Sequence, residues 1–219
     1  MEWDVAAIQT KHGFLEYEVM DASSRWRQPS ETVLFHHGVG IDMDIWIDWL
    51  PYLSTKFRCV RFDMRGCGRS SIPPESDTWS MEEMMSDVLT VADAVDADQF
   101  HLIGESIGGT ISLYTALNAP DRVTTVTALS TGHRGNYINQ VGSWRNTVEQ
   151  EGFAAWTTKM MEHRFYPGAV ADGNGAKWTF WVLALIPFAY ILKTLYDELQ
   201  KAGQRETGAV AKQIKNATY

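Results

Sequence analysis

The most constraining feature of this sequence is a serine enclosed by glycines, at a point where a strand pattern passes directly into a helix pattern. Residues 99–106 form an apolar run typical of a buried strand, and helical spacing extends over residues 107–118. The junction reads "GESIG", so Gly104 and Gly108 flank Ser106. A change from strand to helix within one residue needs a turn too tight for neighbouring side chains, and glycines meet that need. The turn predicts a Ser106 hydroxyl that points out from the carboxyl edge of a sheet.

The sequence on both sides extends this alternation of strands and helices. β-rich runs predict strands at residues 14–20, 32–38, 57–63, 99–106 and 123–131. Helical apolar spacing predicts helices at residues 44–53, 80–95 and 107–118, and Ser80 is the expected N-cap of the second. Strands that alternate with helices of this length predict an α/β fold with a mainly parallel sheet. Such a sheet binds ligands outside the carboxyl ends of its strands.

The pattern changes after the last of these strands. Residues 142–164 have helical spacing, and no further buried strand is predicted beyond them. We therefore expect a core at residues 1–131 and a cap-like helical region with a C-terminal tail at residues 132–219. The apolar run at residues 178–192 is shorter than the roughly 18 to 20 apolar residues that cross a bilayer, and Pro187 interrupts it. A buried or cap helix is the favoured interpretation, and a membrane anchor is the weaker alternative.

Composition and charge restrict the classes of partner. The 219 residues are 45% hydrophobic, which is enough for one or at most two domains with a sizeable core. A formal net charge of -8, without a cluster of Lys and Arg, argues against nucleic acid and anionic membranes as partners. The N-terminal "MEWDVAAIQT" lacks the basic and apolar regions of a signal peptide, so a cytoplasmic location is expected. Cys59 and Cys67 have no metal-like spacing with histidines.

A glycine-containing motif also ends the second predicted strand. "HHGVG" at residues 36–40 stands where an oxyanion hole takes a backbone N–H from a loop, and the amide of Val39 is the candidate. The amide of Ile107, at the start of the helix after Ser106, is the candidate for the other donor. His37 is expected to brace the loop through hydrogen bonds rather than to transfer protons. A glycine-rich turn without catalytic chemistry is the alternative interpretation of the serine motif.

The third predicted strand ends in another loop of this kind, "FDMRGCGRS" at residues 62–70. Asp63 and Arg65 can hold such a loop through charge-assisted hydrogen bonds, and its glycines can occupy strained turns. We interpret both side chains as structural supports near the site rather than as catalysts.

Together, "HHGVG", "FDMRGCGRS", "LIGESIGG" and "NAPDRV" resemble the α/β-hydrolase superfamily in their order and spacing. The resemblance extends over residues 14–131, and the sequence that follows is similar to the branch with 3-oxoadipate enol-lactone hydrolases. It implies a Ser–His–acid hydrolase without metal or organic cofactor. Ser106 would be the nucleophile, and the amides of Val39 and Ile107 would form the oxyanion hole. The implied substrates are small carboxylic esters or lactones.

The sequence departs from the family pattern in its second half. The family carries its acid and histidine on loops after later strands, and no such strands are predicted here, so we expect a C-terminally shortened fold. His133 follows a strand at the correct edge and is the candidate base. His163 lies in a cap-like helix, and Asp121 precedes a strand and so belongs at the opposite edge. Asp172 and Asp197 have no strand-end context and are weaker candidates.

Three interpretations therefore compete at the level of function. The chain is a shortened and weakly active hydrolase, or a hydrolase with a rearranged base such as His133, or a non-catalytic relative that binds ligands in its pocket. Without later strands, residues 123–129 would form a sheet edge. That edge would be covered by residues 178–192 or would pair in a homodimer. Apolar side chains after the core could form a cap above Ser106 or pack only among themselves: Trp144, Phe153, Trp156, Met160, Met161 and Phe165.

Overall fold

A computed structural model describes residues 4–24, 26, 30–74, 76–132 and 141–164. The strands are β1 Asp4–Thr10, β2 Gly13–Met20, β3 Thr32–His36, β4 Arg58–Phe62, β5 Phe100–Glu105 and β6 Val123–Leu129. A 3-10 helix at Met43–Trp46 precedes the helices, which are α1 Leu50–Leu53, α2 Met81–Ala94, α3 Ile107–Asn118, α4 Val141–Glu151 and α5 Phe153–Arg164. The five predicted strands are all present.

The described strands form one sheet in the order β1-β2-β4-β3-β5-β6. Strands β3 to β6 pair parallel with one another, whereas β2 pairs antiparallel with β1 and β4. The predicted α/β fold with a mainly parallel sheet is therefore confirmed. The sequence did not predict β1, because every described residue of this strand is exposed or half-buried and its apolar alternation is weak.

The central strands carry the core. Leu34, Val60 and Leu102 are fully buried on the side of the sheet where α2 and α3 supply Val88 and Ile111. The opposite side forms a smaller cluster with Phe35, Trp46, Leu50 and Cys59. Strands covered on both sides read as continuous apolar runs, which explains why they could be found in the sequence. Their parallel pairing also brings the carboxyl ends of β3, β4 and β5 to one edge.

The helices agree with prediction where a cap defines them. Ser80 is the N-cap of α2, because its hydroxyl accepts a hydrogen bond from the backbone N–H of Glu83 at 3.2 Å. The prediction of a single helix at residues 44–53 was wrong. The chain forms a 3-10 turn and then the four-residue α1, with Pro51 in the first turn of α1. Proline lacks an N–H and suits only the start of a helix, so it separates the two pieces.

The helical region at residues 142–164 is also interrupted. Gly152 has a φ of +86° and stands between α4 and α5. This left-handed conformation ends helices and favours glycine. Trp156 of α5 is buried in the same cluster as Val39 and Ile107, so the helices after the sheet pack onto the core. No helix in the described ranges has the length and hydropathy of a membrane span, and residues 178–192 lie outside those ranges.

Candidate active site

Ser106 occupies a strained turn between β5 and α3. Its backbone has φ +56° and ψ -122°, a conformation that costs a residue other than glycine about 1–3 kcal/mol. Hydrogen bonds hold the turn from both sides. The N–H of Ser106 donates to the carbonyl of Leu129 at 2.9 Å, and the Thr131 hydroxyl donates to the carbonyl of Ser106 at 2.6 Å. The half-buried Ser106 side chain caps no amide of α3, so its hydroxyl is not used in helix capping.

The two glycines of the turn leave no room for a side chain. A Cβ on Gly104 would lie 2.4 Å from the carbonyl oxygen of Gly108. A Cβ on Gly108 would lie 2.3 Å from the carbonyl oxygen of His36 and 2.5 Å from that of His37. These contacts are with backbone atoms, which cannot rotate away. The reason given for these glycines from the sequence is therefore confirmed.

The loop after β3 lies directly against the nucleophile turn. A Cβ on Gly38 would be 2.8 Å from the Cβ of Ser106, so the two backbones approach closely. Val39 is the next residue along this loop and is buried. Ile107 is the first residue of α3, and first-turn N–H groups have no acceptor within their helix. The structure thus brings the loop that contains Val39 and the start of α3 next to Ser106.

His37 braces this loop, as the sequence predicted. Its Nδ1 lies 2.7 Å from the carbonyl oxygen of Gly38, and its Nε2 accepts the backbone N–H of Met64 at 2.9 Å. The proton therefore resides on Nδ1, and both ring nitrogens hold the backbone. His36 packs edge-to-face on Phe62, and burial lowers the pKa of His36 to about 4. Both rings are neutral near pH 7.

Asp63 and Arg65 are structural supports, again as predicted. The Asp63 carboxylate accepts the backbone N–H groups of Met43 and Arg69, both at 2.8 Å, and burial raises the pKa of Asp63 to about 7. Arg65 forms a two-pronged pair with Asp87 of α2, with both N–O distances 2.6 Å. These bonds fasten the loops after β3 and β4 to each other and to α2.

The helices after the sheet cover the Val39 loop. A Cβ on Gly40, which has a φ of +74°, would lie 2.7 Å from Cη2 of Trp156. Trp144 of α4 packs edge-to-face on Trp156, with ring centroids 6.2 Å apart. Met160 packs against the same core cluster. Three of the six expected cap side chains thus contact the core, and the side chains of the other three lie outside the described residues.

The expected base lies outside the described part of the chain. His133 is not among the described residues, and neither are Asp172, Asp197 and the side chain of His163. Asp121 lies two residues before β6 and belongs to the opposite edge of the sheet, as expected. Four histidines have described side chains, and none of them hydrogen-bonds to Ser106: His12, His36, His37 and His101.

Sequence reasoning overlooked one side chain at this site, that of Glu105. Its Oε2 atom lies 2.1 Å from the position that a Cβ on Gly38 would take, which places the carboxylate beside Ser106. The only sequence signal was its place next to the serine in "GESIG".

The parallel sheet, the strained serine and the two flanking loops define a protein of the α/β-hydrolase class. A family model described as the alpha/beta hydrolase fold matches residues 31–167. Since this match extends over more than half of the chain, the chain belongs to the alpha/beta hydrolase family.

Comparisons with individual proteins agree with this assignment. An acetyltransferase component of the acetoin cleaving system of Cupriavidus necator is 34% identical over 110 residues, 50% of this chain and 29% of that protein. RutD of Caulobacter segnis, named for carbamate hydrolysis, is 35% identical over 95 residues, 42% of this chain and 35% of that protein. The matched part of this chain thus spans only about a third of the length of these relatives.

Solved structures show the same fold over a larger part of the chain. An enol-lactonase from Burkholderia xenovorans LB400 has a TM-score of 0.74 and 18% identity, and the match covers 89% of this chain and 73% of that one. An esterase from Thermogutta terrifontis has a TM-score of 0.70 and 20% identity, with coverage of 90% and 72%. At these identities the likeness concerns the fold alone.

Proposed function

We propose that this chain is a serine-dependent hydrolase of small carboxylic esters or lactones and that Ser106 forms an acyl-enzyme. The observation that carries the proposal is the strained backbone of Ser106, held between β5 and α3 by glycines that admit no side chain. Strain of this kind persists where a side chain must be held in one position. Among the proteins that share the fold, an enol-lactonase and an esterase support this class of substrate.

The backbone amides of Val39 and Ile107 are the proposed oxyanion hole. Gly38 abuts Ser106, and Ile107 begins α3, so both amides belong to segments in contact with the nucleophile. The Ser106 oxygen attacks the carbonyl carbon, and the negative charge on the carbonyl oxygen is stabilised by both N–H groups and the α3 dipole. One such donor contributes about 10²- to 10³-fold to the rate.

His133 is the proposed base. The Thr131 hydroxyl is hydrogen-bonded to the carbonyl of Ser106, and the Thr110 hydroxyl donates to the carbonyl of Gly132 at 2.9 Å. The chain is therefore anchored beside the nucleophile one residue before His133. In this scheme His133 accepts the Ser106 proton and passes it to the leaving alcohol. It then accepts a proton from the water that attacks the acyl carbon, and returns this proton to the Ser106 oxygen as the acid is released.

A catalytically inactive binding protein is the second candidate. None of the histidines with described side chains hydrogen-bonds to Ser106, and a serine hydroxyl without a base is a weak nucleophile. The same pocket would then hold a small ligand without turning it over. The two candidates differ in one property, the reactivity of Ser106.

Labelling with a fluorophosphonate probe tests that property. The probe forms a covalent bond only with an activated serine, and intact mass measures the adduct. We expect one adduct on the unmodified chain, none on Ser106→Ala, and an unchanged adduct on Ser86→Ala, which removes an exposed hydroxyl from α2. A folded chain that takes up no probe would contradict the hydrolase and leave the binding protein.

A second substitution tests the base. His133→Gln should lower the rate of labelling by at least about a hundredfold, because base catalysis contributes 10²–10⁴-fold. His101→Gln is the control, since His101 bonds to Thr125 near the amino end of β5. Equal loss in both variants, or none in His133→Gln, would reject His133.

A further inference from the structure

The two sides of the sheet are covered to different extents at β5 and β6. On one side α2 and α3 pack on the sheet, and Leu102 of β5 is fully buried there. On the other side, the 3-10 turn and α1 contact β3 and β4. Ile103 of β5 belongs to this second side and is only half-buried. Among the described residues, the second side is therefore covered over β3 and β4 but incompletely covered over β5 and β6.

The incomplete cover leaves a surface that we call the open face. Thr127 of β6 pairs with Ile103, and Leu129 follows two residues later, so both lie on the same side of the sheet as Ile103. Thr127 is exposed. The apolar members of the open face are all half-buried: Ile45, Leu53, Phe57, Ile103 and Leu129. Because strands of parallel sheets are covered on both sides, this face requires a further cover.

Two buried polar atoms on this side of the sheet have no hydrogen-bond partner among the described residues. They are Nε1 of Trp46, a residue that is 1% exposed, and Nε2 of His101. His101 packs edge-to-face on Phe57, and its Nε2 lies 3.7 Å from the Glu31 carboxylate, which is too far for a hydrogen bond. Since buried polar groups are nearly always hydrogen-bonded, these two atoms indicate that the missing cover carries hydrogen-bonding groups.

We propose that residues 178–192 dock on the open face and supply this cover. The run has no charged side chain between Lys177 and Lys193. As a helix its fifteen residues would extend about 22 Å, and the six-residue β5 extends about 20 Å, so the run is long enough to cover the strand. Because the carbonyl of Leu129 accepts the N–H of Ser106, the docked run also supports the turn at Ser106.

The chain can reach the open face from the end of α5. The 13 residues between Arg164 and the run can extend up to about 45 Å. Trp156 of α5 packs at the carboxyl edge of the sheet against Gly40, and β6 is the last described strand, so this connection passes around β6. A short tether also keeps the run at an effective concentration of about millimolar, which favours docking within one chain over docking on a second copy.

The run contains acceptors for the unpartnered atoms. Pro187 has no N–H, so in a helix the carbonyl oxygen of Leu183 would have no donor four residues ahead and could accept another hydrogen bond. The hydroxyl groups of Thr179 and Tyr190 are further acceptors. The run therefore matches the open face in apolar character, in length and in the hydrogen-bonding groups that the face requires.

Cross-linking from two neighbouring positions of β6 tests the proposal in the full chain. Thr127 and Ala128 are both exposed, but adjacent residues of a strand point to opposite sides of the sheet, so only Thr127 lies on the open face. A benzophenone maleimide is attached to Thr127→Cys or to the matched control Ala128→Cys and irradiated, and mass spectrometry identifies the linked peptides. We expect Thr127→Cys to link to residues 178–192 of the same chain and Ala128→Cys not to. Links to a second copy, or none to this run, overturn the proposal.

Thiol reactivity measures the same docking without irradiation. Cys59 and Cys67 are buried, so the added thiol reacts first. We expect Thr127→Cys to react with a disulfide reagent at least about tenfold more slowly than Ala128→Cys, because the run must first leave the face. Equal rates would contradict docking. Flotation of the unmodified chain with phosphatidylcholine vesicles would assign the run to a membrane surface and would also overturn the proposal.

Charges placed in the run show whether the run itself causes the protection. Four aspartates in the run should make the two thiol rates equal, because a charged run cannot cover an apolar face. Their positions are Val182, Leu183, Leu185 and Ile186. The matched control adds four aspartates in the tail and should leave the difference unchanged, at Gln204, Thr207, Gln213 and Asn216. Protection that survives the charges in the run rejects the proposal. None of these measurements requires a reactive Ser106, so they are independent of the proposed function.

Discussion

At the residue scale, the site depends on places where a side chain cannot fit. Gly104 and Gly108 admit no Cβ because backbone atoms of neighbouring segments occupy the space. Gly38 differs, because the nearest atom to its absent Cβ is a carboxylate oxygen at the far end of the Glu105 side chain. Glycine is therefore required at positions 104 and 108 because backbone atoms fill the space, whereas at position 38 it leaves space for the Glu105 carboxylate.

Gly108→Ala should destabilise the protein by at least about 2 kcal/mol, because the added methyl meets two backbone carbonyl oxygens within 2.5 Å. Gly142→Ala is the matched control. Nothing lies within 4 Å of its Cβ, and alanine is the better helix former by up to about 1 kcal/mol, so stability should stay equal or rise. Urea unfolding of both variants measures the difference. Equal stabilities would show that the turn can relax around a methyl group.

The titration of His36 should contribute to the pH dependence of the free energy of unfolding. Its folded pKa of about 4 lies below its usual value of 6.5, so the unfolded chain binds the proton first as pH falls. The contribution of His36 to stability is thus complete above pH 6.5, and about 3 kcal/mol of it is lost between pH 6.5 and 4. Asp63, with a pKa raised to about 7, works in the opposite direction over a similar range.

His36→Asn isolates this contribution, because an amide can still donate to the carbonyl of His37 but cannot titrate. The contribution of Asp63 is present in both proteins and cancels. From pH 6.5 to 4, the free energy of unfolding of the unmodified chain should therefore decrease by about 3 kcal/mol relative to that of His36→Asn. Parallel curves would mean that His36 is charged without penalty in the folded state.

At the element scale, local signals define helix boundaries where a single residue satisfies or removes a backbone group. Ser80 accepts an N–H at the start of α2, and Pro51 and Gly152 interrupt the helices that apolar spacing alone would have continued. The spacing of apolar residues indicates which side of a helix is apolar. Only capping residues and helix-breaking residues indicate where the helix begins and ends.

Ser80→Ala should cost about 1 kcal/mol, because the N–H of Glu83 loses its acceptor. Ser80→Asp should restore most of this stability, since its carboxylate can accept the same bond. Ser86→Ala, on the exposed side of the same helix, should have little effect. Thermal unfolding checks all three variants, and a loss of similar size in Ser86→Ala would argue against a capping role for Ser80.

Within the described residues, β6 is the last strand of the sheet, and β5 is its only partner there. The homodimer proposed from the sequence would bury the outer edge of this strand. If two copies pair through β6, amides of residues 123–129 should exchange more slowly as the protein concentration rises, and sedimentation should show the dimer. Exchange that does not depend on concentration would contradict pairing between copies.

At the scale of the whole molecule, the helices after the sheet share the core of the sheet. Trp156 is 1% exposed and lies in the cluster that includes Val39 and Ile107. The predicted boundary between residues 1–131 and 132–219 stays a prediction, since contact across a boundary does not decide whether both sides unfold together.

Trp156→Ala decides this point. Loss of a buried tryptophan costs about 3–5 kcal/mol. We expect a single unfolding transition that shifts by this amount, because the side chain supports the core itself. Tyr52→Ala removes an aromatic ring that is 79% exposed and should shift the transition little. An early partial transition, with the main transition unchanged, would instead support a separately unfolding helical region.

The sequence alone determined where the buried strands lie along the chain, the limits of α3 and the tight turn at Ser106. Continuous apolar runs identify strands covered on both sides, and a glycine pattern identifies a backbone that excludes side chains. The exposed strand β1 and the break at Pro51 were not predicted, because β1 depends on strand pairing and the break depends on local backbone geometry.

The tertiary structure decided which residues meet at the site. It placed Gly38 against Ser106, Trp156 on Gly40 and the Glu105 carboxylate in the space beside Gly38. These contacts join segments distant in sequence, and no local pattern reports how closely two backbones approach once the chain is packed.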